Sequence, residues 1–266
     1  MEDGRYTKPP LRGELRAQAT PNPSFEPTAF GGGSIPTLGS ISGPLRVITL
    51  FGTLESGNVH KVQMMLRRLA IPFRRVDVAQ TRGEPRSPQF LQLNPVGKIP
   101  AVLLDGGDVL SESGAILYYF SRDTPLWPND TRSQAEVLRW MFFEQYSHEP
   151  SLAVIRYLKN YVPEPERCSD QIQRLIPKAR HALEVMEQRL ASGKWIAGDV
   201  ATIADYALYP YTRVAHESGF DLAEFPATIT WLERFEALPD FLAVRAEGAV
   251  QTVSWTEYLQ ADGWPQ

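Results

Sequence analysis

The chain has 266 residues, 43% hydrophobic and 22% charged, the composition of an ordinary globular protein of one or two domains. Its 27 Lys and Arg against 31 Asp and Glu leave a net charge of −4, which argues against a broad nucleic-acid footprint. No apolar run approaches the roughly 18–20 residues of a membrane span, and the single cysteine, Cys168, excludes an internal disulfide and fits a reducing, cytoplasmic setting.

Residues 1–44 hold 7 Pro and 7 Gly, including "GGGS" and "PNPSFEP", and read as a disordered N-terminal extension. From Leu45 the pattern changes. "RVITLF" is a β-branched and aromatic run that predicts a buried strand. After "SGN", the apolar positions Val59, Val62, Leu66 and Leu69 predict a helix that ends before Pro72. "FRRVDV" predicts a second strand, parallel to the first. A short helix is expected near Pro88–Leu91, and "PAVLLDGGDVL" reads as a hairpin turning on Asp105–Gly106–Gly107. "SESGAILYYF" closes this βαβ-α-ββα half, residues 45–123, with a helix.

A linker with two prolines, residues 124–131, separates it from an all-helical part, 132–247. Val137–Phe143 is apolar almost all round, which predicts burial on several sides. The stripe Ile172, Leu175, Ile176, Ala179, Leu183, Met186, Leu190 predicts a long helix, with Pro177 marking a kink or the helix start. Thr202 with Asp205 forms a capping box opening the next helix, which Pro210 should bend. "TWLERFEALPDF" supplies the last clear helix, and 248–266 is left as a tail. The fold class is α/β plus all-α.

Four motifs, "LFGTLESGNVHKV", "NPVGKIPAV", "SESGAI" and "IAGDVATIADYAL", stand in the order and at the spacings of a known family. The chain resembles the cytosolic glutathione S-transferases over Leu45 to Glu247, in particular their serine-type bacterial and plant branches. The resemblance implies a thioredoxin-like N-terminal domain followed by a helical bundle domain. It also implies glutathione as co-substrate and a homodimer.

On that resemblance Pro100 is cis, and the Ile99 backbone pairs with the cysteinyl backbone of glutathione; read on its own, Pro100 only starts an edge strand. Glu112 and Ser113 are expected at a helix end that receives the γ-glutamyl moiety, although Ser111 as a simple N-cap explains the same letters. Lys98 is expected at the glycine carboxylate or as a solvated charge. Ser56 is the candidate donor to the glutathione thiolate, with Asn58 as second candidate; a loop-plus-cap role is the alternative for both, since Ser and Asn are favoured there. Tyr146, His148 and Tyr157 are candidates for the second-substrate pocket. Asp205 is expected to serve folding, Cys168 is expected to be incidental, and no metal is expected, since the four His and one Cys fall at no ligand spacing.

The leading expectation is conjugation of glutathione to small hydrophobic electrophiles, a detoxification chemistry. One alternative uses the same site to reduce disulfides or peroxides with glutathione. Another is a non-catalytic protein-interaction module. Neither a nucleic-acid nor a membrane partner is expected.

Overall fold

A computed structural model describes residues 47–261. Residues 1–44, expected to be disordered, and 262–266 of the tail lie outside the described residues. The chain begins with β1 (Ile48–Phe51), α1 (Gly57–Arg68) and β2 (Phe73–Asp77), then α2 (Pro88–Leu93), the hairpin β3 (Ala101–Leu103) and β4 (Val109–Ser111), and α3 (Ser113–Ser121). β1 is central because Thr49, Leu50 and Phe51 are buried on both faces. It pairs parallel with β2 and antiparallel with β3. The hairpin closes where Leu104 N–H donates to the Asp108 carbonyl (2.8 Å) and Gly107 N–H to that of Leu104 (3.0 Å). Gly107 sits at φ +93°, a conformation that glycine adopts without steric cost.

The second half comprises α4 (Thr131–Phe143), a π-helical turn (Glu144–His148), α5 (Glu149–Asn160), α6 (Ser169–Ala191), α7 (Ile203–Arg213) and α8 (Pro226–Glu236). The thioredoxin-like sheet domain and the helical domain share one core: Met64 and Met65 of α1 pack in a cluster with Trp140, Tyr209 and Trp231. Pro177 lies inside α6, eight residues after its start at Ser169, so it does not begin that helix. The capping box at α7 is formed, with Thr202 N–H donating to Asp205 Oδ2 (2.9 Å). Asp205 also accepts from Ile196 N–H and Trp231 Nε1–H and is fully buried, a role in folding.

Two expectations need correction. Val137, Trp140 and Met141 are buried, but Phe142 is 68% and Leu138 38% exposed, so α4 turns one apolar face outward. The segment after Glu247 is also more than a tail. It contributes β5 (Thr252–Ser254) and α9 (Trp255–Gln260), giving the sheet order β4-β3-β1-β2-β5. Three residues, Thr252–Ser254, carry too little alternation to be recognised as a strand; pairing with the distant β2 makes them one. Trp255 and Tyr258 then pack edge-on against Phe51, at 6.2 and 5.2 Å between centroids. Among the described residues no helix is long and apolar enough to cross a membrane.

Candidate functional site

The carboxyl end of β1, the loop before β3 and the start of α3 converge on one cleft of about 270 Å³. Ser56, Asn58, Lys98, Ile99, Pro100, Glu112 and Ser113 all line it. Ser56 is the N-cap of α1, its Oγ accepting from Val59 N–H at 3.3 Å. That contact uses a lone pair and leaves the hydroxyl proton available to a ligand. The same helix end carries the partial positive charge of its unpaired N–H groups. Gly57 is required by close approach: a Cβ there would lie 2.7 Å from Tyr211 Cζ.

Asn58 Nδ2 donates to Glu149 Oε1 across the two halves, at 3.3 Å. Because a carboxylate only accepts, this contact fixes which way the amide faces. Among the described residues Asn58 Oδ1 then has no hydrogen-bond partner, buried at the edge of the cleft.

The loop before β3 is tied by Asn94. Its Nδ2 donates to the Lys98 carbonyl (2.8 Å), its Oδ1 accepts from Val96 N–H (3.2 Å), and its carbonyl accepts from Gly97 N–H (2.9 Å). Gly97 turns at φ +63°, and a Cβ there would meet the Pro85 carbonyl at 2.9 Å. The Ile99–Pro100 bond is cis, as the resemblance implies. Ile99 lies outside the β3 ladder, and its backbone borders the cleft. Lys98 is exposed at the rim.

Ser111 ends β4 and is not a cap; the N-cap of α3 is Glu112, without a side-chain capping bond and at φ +67°, ψ +112°. A non-glycine residue held there costs about 1–3 kcal/mol, the kind of strain found at binding sites. Its carboxylate is thus committed to no N–H of α3, and Ser113 stands in the first turn beside it. The arrangement offers donors for a carboxylate and an acceptor for an ammonium group.

The helical half supplies the opposite wall through Gln145, Glu149, Ala153, Val154, Tyr157 and Tyr211. A smaller cavity of about 80 Å³, bordered by Glu55, Arg156 and Tyr161, adjoins it. Of the three pocket residues expected from sequence, only Tyr157 lines the cleft. Tyr146 is 87% exposed and absent from the lining, while His148 has no exposed surface and places its Nε2 2.9 Å from Thr212 Oγ1. Burial lowers the His148 pKa to about 3, which leaves a neutral ring shut away from any substrate.

The π turn is the physical reason. It adds a residue to the helical turn, so positions before and after it lose their common phase. Tyr146 and Tyr157, 157 − 146 = 11 apart, would share one side of an undisturbed helix. The observed wall instead follows Gln145, Glu149, Ala153 and Tyr157 at four-residue steps. Behind it Lys61 Nζ meets Glu144 Oε1 at 2.6 Å, both buried; burial pushes the Glu144 carboxyl up and the Lys61 ammonium opposes that.

Glu149, Tyr211 and Asn94 were not singled out by sequence. Pro150 after Glu149 signals a helix start there, and Asn94 belongs to the "NPVGKIP" motif. Tyr211 has no local signal, since its role arises only against Gly57 of the other half. Cys168 stands in a single-turn helix of the second domain, outside the cleft. Among the described residues no group of three His, Cys, Asp or Glu side chains is placed to hold a metal.

Comparison with known proteins identifies the family and the fold. Residues 46–122 match the family model for the glutathione S-transferase N-terminal domain, and residues 152–239 that for the C-terminal domain. Disulfide-bond oxidoreductase YfcG of Escherichia coli is 31% identical over 68% of this chain and 87% of its own. A glutathione S-transferase structure from Pseudomonas fluorescens superposes with TM-score 0.73 at 37% identity, over 75% of this chain and 99% of that one. The transcriptional regulator URE2 of Saccharomyces cerevisiae is 27% identical over 77% of this chain and 69% of its own. The structure of Ure2p in complex with glutathione superposes with TM-score 0.67, covering 74% of this chain and 97% of that one.

Proposed function

Since this chain belongs to the glutathione S-transferase family, we propose that it is a serine-type enzyme that binds glutathione in the cleft and uses its thiolate on a second, small substrate. The observation that carries this is the convergence of three ligand-ready features on one cavity: Ser56 with its free proton on the α1 end, the Ile99–Pro100 edge, and the Glu112–Ser113 start of α3. The γ-glutamyl carboxylate meets the first turn of α3 and the Ser113 hydroxyl, and its ammonium meets Glu112. The cysteinyl backbone pairs along Ile99, and Lys98 takes the glycine carboxylate.

The sulfur then lies beside Ser56. A thiol of pKa ~8.5 needs about 2.7 kcal/mol of preferential thiolate stabilisation to fall by ~2 units. One charge-assisted hydrogen bond contributes ~1.5–3 kcal/mol, so Ser56 together with the α1 helix end is sufficient. In conjugation the thiolate forms a C–S bond as the leaving group departs with its electron pair. The enzyme supplies position and thiolate stabilisation and forms no covalent bond of its own.

Disulfide reduction is the second reading. It is favoured by the similarity to YfcG and by a wall carrying Gln145, Glu149 and Tyr157 in place of a purely apolar lining. There two glutathiones reduce one disulfide: the first thiolate forms a mixed disulfide and expels a thiolate, and the second resolves it, giving oxidised glutathione and two thiols. The outward face of α4, with Phe142 and Leu138, supports assembly as a homodimer. Titration calorimetry with glutathione, followed by turnover of chlorodinitrobenzene and of bis(2-hydroxyethyl) disulfide, tests and separates these readings. Absence of binding at millimolar glutathione overturns both and favours a non-catalytic module.

A further inference from the structure

The wall that α5 lends to the cleft carries one carboxylate that no cationic side chain among the described residues pairs with. Among the described residues the only hydrogen-bond partner of Glu149 is the Asn58 amide, and no cationic side chain pairs with it. Of the cations around the cleft, Lys98 at the rim is assigned above to the glycine carboxylate of glutathione, and two others are engaged elsewhere. Lys61 is held by Glu144 behind the Tyr211 ring, its Nζ 5.5 Å from the ring centroid. Arg156 is shared among Glu217 Oε2 (2.7 Å), the Glu55 carbonyl (2.9 Å) and the Tyr161 hydroxyl (2.7 Å).

Tyr157, two helical turns further along α5, and Tyr211 of α7 line the same cavity as the carboxylate. Tyr157 is 42% exposed, lines both cavities, and stacks on Tyr161 at 6.0 Å; Arg156 lies over the Tyr161 ring and leaves the Tyr157 side open. A cavity that holds an unpaired carboxylate and, further along its wall, an exposed aromatic ring favours an ammonium ion and repels an anion. Glu149 touches Asn58, two residues from Ser56, so its charge lies in the same cavity as the candidate thiolate donor.

We propose that the second-substrate side of the cleft selects a molecule bearing an ammonium or similar cationic donor close to its reacting atom, with Glu149 as the specificity-determining residue. This rests on the glutathione reading above and names the substrate class for the same site.

The test uses four ligands on the full chain: glutathione, S-(2-aminoethyl)glutathione, S-propylglutathione and S-(carboxymethyl)glutathione. The last three place a cation, a neutral methyl-ended chain and an anion at similar reach from the sulfur. Calorimetry should show the aminoethyl derivative bound about tenfold or more tightly than the carboxymethyl one. In Glu149→Gln, which can still accept from Asn58, that ratio should fall to about twofold or less. A wild-type ratio within twofold, or a preference that persists in Glu149→Gln, overturns the inference while leaving the glutathione reading intact. Failure of glutathione itself to bind overturns both. Should Glu149→Gln not fold, the wild-type preference must still shrink as salt is raised from low to half-molar, because the interaction is ionic and partly open to solvent; a salt-independent preference counts against it.

Discussion

Arg156 Nη1 donates to the backbone carbonyl of Glu55 at 2.9 Å, so a guanidinium from α5 holds the peptide that immediately precedes Ser56. The same group donates from Nε to Glu217, which Arg245 also binds, and Arg245 reaches back to the Glu55 carboxylate at 2.7 Å. Burial tends to raise the Glu217 pKa, but hydrogen bonds from Arg245 and Arg156 prevail and lower it. The helical half thereby grips the loop that carries the candidate donor.

Replacing Arg156 by Lys keeps the charge and loses the fork that serves three acceptors at once. Turnover with glutathione should fall about tenfold, a loss of some 1.4 kcal/mol in transition-state stabilisation, with the circular dichroism spectrum unchanged. Activity within twofold of wild type would show that the grip is not needed.

Ser56 combines capping with donation, and two variants separate them. Ser56→Ala loses both; Ser56→Gly retains most of the capping stability, because glycine costs only a few tenths of a kcal/mol at an N-cap. Both should raise the pKa of bound glutathione by about 1–2 units, read from thiolate absorbance against pH. Both should also recover activity as the pH rises. An unchanged thiol titration in Ser56→Gly would transfer the role to Asn58.

His148 and His60 are buried, and burial lowers their pKa values to about 3 and about 4. Below the unfolded value of about 6.5, the unfolded chain binds protons that the folded chain refuses, so stability declines as the pH falls from there toward 4. Each histidine contributes a slope of about 1.4 kcal/mol per pH unit. Buried Glu144 and Asp205, pushed up by the same burial, act with the opposite sign, so the informative quantity is a difference. Urea unfolding of wild type and His148→Gln at pH 7, 6 and 5 should give a shallower loss for the variant by about one histidine's slope. Parallel losses would contradict this.

Phe142 and Leu138 form an outward apolar face on α4, and Tyr118 of α3, 42% exposed, borders the same surface depression. Sedimentation should find a dimer in the wild type and a monomer in the Leu138→Glu, Phe142→Glu pair. Charges placed in an apolar contact cost several kcal/mol when desolvated without partners. A double variant that remains dimeric would move the interface elsewhere.

The sheet-bearing half was readable because its signals are local: a proline before a hairpin, a serine before a helix, a glycine at the turn. The cleft residues Ser56, Pro100 and Ser113 inherit that locality. Of the wall from the helical half only Tyr157 was readable, since its phase depends on five residues, Glu144–His148, that adopt π geometry while keeping an ordinary helical composition. Glu149 and Tyr211 act through contacts with Asn58 and Gly57, some ninety residues or more away in sequence, and no window along the chain contains both partners.

The pairing of β5 with β2 gives the order of synthesis a physical meaning. The sheet begins at Ile48, yet its outermost ladder waits for Thr252–Ser254, so translation of most of the chain leaves the flank of β2 open to any passing strand. A polypeptide halted after α8 would retain the lining of the cleft but expose that flank together with the aromatic bed of Phe51 and Phe90, where Trp255 belongs. Its failure would take the form of aggregation before any loss of ligand contacts.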